Sequence, residues 1–156
     1  MRTTAGLSRM LGLTVAFMAL PACDSLDSAK ASAYLTAREN QVAHERGAAE
    51  LLCRRGSLSA SESAEALQSQ AADGRALRTT ATNAERALLE SNPPERIRTA
   101  VAELSRAAAN VQANSASVVR TCPTGSTTDG TGAARRQLQQ SLDVYRDHAA
   151  VFRTQI

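Results

Sequence analysis

From residue 28 onward, apolar side chains recur at steps of three and four in four stretches, and in none of them with a period of two. Ile97, Val101, Leu104, Ala108, Val111, Ser115, Val118 and Cys122 keep that step without a break. Leu138, Leu142, Tyr145, Ala149, Phe152 and Ile156 repeat it. Leu67, Gly74, Leu77, Ala81, Ala84 and Leu88 mark a third stripe with a small-residue middle, and Ala31, Leu35, Val42, Ala49 and Leu52 a fainter fourth. Such spacing lines one face of a helix at close to 3.5 residues per turn, the geometry of helical bundles. Turn-forming residues separate the stretches at Arg55-Gly56-Ser57, at Ser91-Asn92-Pro93-Pro94 and between Pro123 and Gly132. The pattern predicts helices over 28–54, 58–91, 94–121 and 133–155. Ser59 with Glu62 forms a capping-box pair; Asn92 reads as an N-cap, with Pro93 at the first helical position and Glu95 at the positive end of the dipole. Four helices joined by short connections predict an all-α, antiparallel up-down-up-down bundle.

Composition supports that class and narrows it. Of 156 residues, 31 are Ala, while the chain has two Phe, two Tyr and no Trp. This disfavours a β-sandwich or barrel, whose strands draw on β-branched and aromatic residues. It also leaves little for a deep ligand cleft, which needs large apolar walls. Alanine is the best helix former, and Ala and Gly at seam positions let helices approach closely. The expected core is thin.

The first 22 residues follow a different rule. Arg2 and Arg9 precede an apolar run from Met10 to Leu20, with no Asp or Glu before Asp24. A positive start, about ten apolar residues and a small residue before the break are the parts of a secretory signal. The run is shorter than the roughly 20 residues a transmembrane helix needs. It closes on Leu20-Pro21-Ala22-Cys23, which resembles the lipobox of bacterial lipoproteins. That resemblance implies removal of residues 1–22 and diacylglycerol on the Cys23 thiol, with an N-acyl lipid on the new amine. More than one acyl chain anchors a protein stably, whereas a single chain binds marginally. The expected organisation is a signal peptide (1–22), a lipidated Cys23 with a short tether (23–27) and a bundle (28–156). Asp24 resembles the signal that retains enterobacterial lipoproteins at the inner membrane, so the resemblance points to a periplasm-facing protein there. Without Arg2 and Arg9 the balance falls from +3 to 16 cations against 15 anions, a net of +1. Nucleic acid is therefore not an expected partner.

Two cysteines remain, Cys53 at the end of the first helix and Cys122 at the end of the third. Alternate helices of an up-down bundle end at the same pole, and an exported compartment is oxidising, so the two are expected to form a disulfide. With no CxxC and only His44 and His148, each on a different helix, no metal site is expected. Ser57, Ser59, Ser61 and Ser63 cluster at a helix start as caps and surface, and Gly125, Gly130 and Gly132 precede no Lys-Ser/Thr pair of a P-loop. No nucleophile–base set can be assembled, and the expected protein is a non-enzymatic envelope scaffold or adaptor without a dissociable cofactor. Arg54, Arg55, Arg120, Arg135 and Arg136 are expected to share the membrane-distal pole and to dock an acidic partner protein. Helix dipoles account for the first three but not for Arg135 and Arg136 at a helix start. The alternative is a periplasmic sensor or carrier of a small ligand, held in a cavity lined by Tyr34, Gln70 and Tyr145.

Overall fold

Four helices make up nearly all of the chain described by the structure, a computed structural model covering residues 26–53, 60–122 and 129–156. They are α1 (Ser28–Cys53), α2 (Ala60–Glu90), α3 (Glu95–Thr121) and α4 (Asp129–Gln155). At 1.5 Å per residue each is about 40 Å long or slightly more. Cys23, Arg54, Arg55 and Ser59 lie outside the described residues.

Local chemistry sets the helix ends. Asp27 caps α1: its carboxylate accepts the Lys30 backbone N–H at 3.1 Å. That bond, assisted by the Lys30 ammonium, holds the Asp27 carboxyl below its ordinary value of 3.8. The turn between α2 and α3 departs from the expected arrangement. Asn92 does not cap α3; it sits at φ 50° and closes α2, with its N–H on the Leu89 carbonyl at 3.1 Å. Among ordinary residues Asn tolerates this left-handed conformation best after Gly, which makes it a helix terminator here. Pro94 takes the N-cap position of α3 without a side-chain bond, and Pro93 is buried in the turn. The α4 start also differs, lying four residues ahead of the expected 133. Gly130 and Gly132 cost a helix roughly 1 kcal/mol each against Ala, which the alanines and long side chains that follow can carry.

The stripes read from the sequence face inward with one exception. On α3 Ile97, Val101, Leu104, Ala108, Val111, Ser115 and Val118 are all buried, as are Leu138, Leu142, Tyr145, Ala149 and Phe152 on α4. Among the described residues of α2, Gly74, Ala81 and Leu88 are the buried ones, and Leu67 is 44% exposed. The α2 stripe therefore works only from Gly74 onward, where α1 lies against it.

The helices run up-down-up-down. α1 meets α2 in antiparallel fashion, Arg38 opposite Glu85 and Glu45 opposite Arg78. α4 runs antiparallel to α3, with His148 near Glu103 and Asn114 on the Gln137 carbonyl. The close pairs are α1 with α2, α3 with α4, and also α1 with α3, which lie parallel. Ala31 and Ala49 on α1 and Ala100, Ala107 and Ala108 on α3 carry no bulk beyond Cβ, so this diagonal of the bundle is short. Tyr34 and Phe152 fill its α1-start end, edge to face at 5.5 Å between ring centres. Cys53 and Cys122 close the opposite pole as a disulfide, their Cα atoms 5.4 Å apart.

Candidate functional site

Three places concentrate chemistry that packing alone does not require. The first is a polar set inside the α1–α2–α3 contact. Arg38 is only 8% exposed, although it sits on the inner face of α1. Its guanidinium donates to Gln41 Oε1 at 2.8 Å, to Ser105 Oγ at 3.1 Å and to the Glu85 carboxylate. Ser105 donates to Glu85 at 2.7 Å. The Tyr34 hydroxyl has Ser105 Oγ at 2.7 Å and the Val101 carbonyl at 3.1 Å in reach, and Arg38 lies over the Tyr34 ring. Burial pushes the Tyr34 phenol above its ordinary value. Further along the seam, Arg78 holds the buried Glu45 at 2.7 Å, and Ser115 donates to the Glu45 carbonyl at 2.6 Å. His44 reaches the Gln70 carbonyl at 3.1 Å. Its ring fits because residue 74 is Gly: a Cβ there would stand 3.2 Å from His44 Nε2. These ties use most of the hydrogen-bonding capacity of their members, as buried charges require.

The second place is the disulfide pole. Arg120, Arg135 and Arg136 are exposed there, and none of the three forms an ion pair among the described residues. The two other arginines assigned to this pole, Arg54 and Arg55, lie outside the described residues, directly after Cys53.

The third is the seam between α1 and α4, which is not among the closely packed pairs. Two cavities of about 330 and 180 Å³ open along it, and Arg46 and Leu142 line both. The smaller is lined by Tyr145, which is 4% exposed and whose hydroxyl has no hydrogen-bond partner. Burial pushes this phenol above the ordinary tyrosine range, and the nearby Glu39 carboxylate adds to the effect.

The three residues expected to line one cavity are not brought together. Tyr34 is in the filled core, Gln70 lies at the α1/α2 seam, and Tyr145 lines the smaller α1–α4 cavity. Sequence reasoning missed Arg38, Gln41 and Glu45 as inward-facing residues. Their signal was positional, since they continue the three-and-four spacing of α1 with polar residues. Among the described residues no group of three or more His, Cys, Asp or Glu side chains converges as metal ligands would, and no helix is long and apolar enough to cross a membrane. No family model, no curated protein and no solved structure matches this chain.

Proposed function

We propose that the chain is a lipid-anchored, non-enzymatic envelope protein whose bundle serves as a scaffold or adaptor for a partner protein. The observation that carries this reading is how its three cysteines are divided. Two are joined at one pole of the bundle, and the third closes the lipobox-like Leu20-Pro21-Ala22-Cys23, five residues before α1 begins. A disulfide between distant helices suits an oxidising, exported compartment. Two or more acyl chains on Cys23 would hold the protein stably at a membrane. Asp24 supports placement on the periplasmic side of the inner membrane.

In this arrangement the tether ends where α1 starts, and the Cys53–Cys122 pole lies about 40 Å away along α1. The basic residues Arg120, Arg135 and Arg136 then form the membrane-distal end, and Arg54 and Arg55, which follow Cys53 in the chain, lie outside the described residues. Charges exposed and unpaired at a tip steer an oppositely charged partner and set its association rate. An acidic envelope protein is the fitting class.

Crosslinking and co-purification of the protein from its own envelope test this function. One acidic partner should be recovered with the native chain and lost with Arg135→Glu/Arg136→Glu. Cys23→Ala should release the protein from the membrane and also abolish recovery. Equal recovery of the partner with the double Glu variant at low salt would refute the adaptor reading.

A further inference from the structure

The four helices do not share the core equally. α1, α3 and α4 each supply several side chains to the fully buried apolar cluster, and α2 supplies Leu88 alone. Among the described residues α2 packs closely against α1 and against neither α3 nor α4. What holds it there is polar: the Glu85 carboxylate on Arg38 and Ser105, Arg78 on Glu45, and the Gln70 carbonyl against the His44 ring. Its two ends also differ. Leu88 is buried, as is Pro93 in the turn that follows, whereas no described side chain of α2 ahead of Gly74 is.

The disulfide sharpens this division. It joins the end of α1 to the end of α3, so α2 lies wholly inside the loop that Cys53 and Cys122 close. α3 and α4 are a close pair, and α1 and α3 lie against each other along the short diagonal. Three helices are thus packed and stapled without α2. Lifting α2 as far as Glu85 uncovers only Gly74 and Ala81 among its buried residues, and hands the polar ties to water. Water replaces most of what each such bond contributes. Lifting α3 or α4 would instead expose the apolar cluster itself.

We propose that α2 is a lid, hinged at Leu88–Pro93, that lifts from α1 while α1, α3 and α4 stay packed. Opening uncovers Arg38, Gln41 and Glu45, so that a guanidinium and a carboxylate about two turns apart, hidden in the closed form, reach the surface. The lid depends on neither the anchor at Cys23 nor the basic pole, so its failure and theirs are separable.

Native-state hydrogen exchange of the disulfide-bonded full-length chain, followed by mass spectrometry, tests the lid. A helix released into water is marginal on its own, so opening is read as exchange. Backbone amides of residues 74–84 should exchange at least about tenfold faster than those of 100–111 and 138–149. Glu85→Gln weakens the latch on Arg38 and should speed exchange of 74–84 by about tenfold. Leu138→Val loosens α4, which α2 does not pack against. It should speed 100–111 and 138–149 by about fivefold and leave 74–84 unchanged. Exchange of all four helices at one rate overturns the proposal, as does a Glu85→Gln variant with unaltered exchange of 74–84. So does Leu138→Val if it speeds 74–84 as much as α3 and α4, the mark of a single cooperative unit.

Discussion

Arg38 shows most clearly how single residues hold this fold together. Its charge is buried at the junction of three helices, and each partner comes from a different one: Gln41 on α1, Glu85 on α2 and Ser105 on α3. Removing one partner from such a set leaves an uncompensated buried charge. Glu85→Ala is expected to destabilise the bundle by about 2–3 kcal/mol, measured by urea denaturation. Conversely, Asp143→Ala removes an exposed partner of Arg146 and Gln139 and should change stability by less than about 0.5 kcal/mol. At Asn92 the backbone is the issue: Ala at φ 50° should cost about 1 kcal/mol in the same assay, whereas Gly should be close to neutral. Asp27 makes a pH-dependent contribution. Its carboxyl pKa is lower in the folded chain than the ordinary 3.8, so its stabilisation is present above that value and is lost as the pH falls through the folded one. Thermal melts of the native chain and Asp27→Ala should therefore differ at pH 6 and converge near pH 2. None of these polar long-range partners was legible in the sequence. Arg38 and Glu85 are 47 positions apart, and nothing in either neighbourhood announces the pairing.

The helices differ in how far pattern alone determined them. α3 and α4 carry unbroken apolar stripes, and every predicted stripe residue between Ile97 and Val118 and between Leu138 and Phe152 is buried. α1 read faintly for a physical reason: Arg38, Gln41 and Glu45 occupy its inner face, so the polar network dilutes its amphipathic signal. α2 is held less by burial than by ties to α1, through Glu85, Arg78 and the close seat of Gly74 under His44. That explains why Leu67, ahead of these ties, stays exposed even though it fits the spacing. The N-terminus of α4 was hidden by the glycines of a stretch that looked like loop, and the Asn92 turn by the resemblance of Asn-Pro to an N-cap. The disulfide is the strongest link between elements. Joining residues 69 apart constrains the unfolded chain by roughly 4 kcal/mol in the chain-entropy model. Cys53→Ser/Cys122→Ser should lower unfolding free energy by about 2–4 kcal/mol. The same loss should appear when the native protein is denatured in the presence of reductant.

At the scale of the molecule, the alanine-rich sequence has a specific consequence. Small residues let α1 and α3 lie side by side along the short diagonal, and the seam between α1 and α4 is left open. The all-α class, the helix count and the meeting of Cys53 with Cys122 follow from periodicity and turn placement. The short diagonal and the open groove do not, because they depend on which faces of four similar helices are smallest. The same architecture puts the start of α1 at the end opposite the disulfide and the exposed Arg120, Arg135 and Arg136. Under the proposed anchoring, one end of the rod would face a membrane and the other an acidic partner. This polarity rests on Cys23 being the anchor. The most direct test is intact and N-terminal peptide mass spectrometry of the protein extracted from its own envelope. A chain that begins at Cys23 and carries diacylglycerol on the thiol, with a further acyl group on the amine, is the predicted result. A chain with an unmodified Cys23 thiol, or one that retains residues 1–22, would contradict the account.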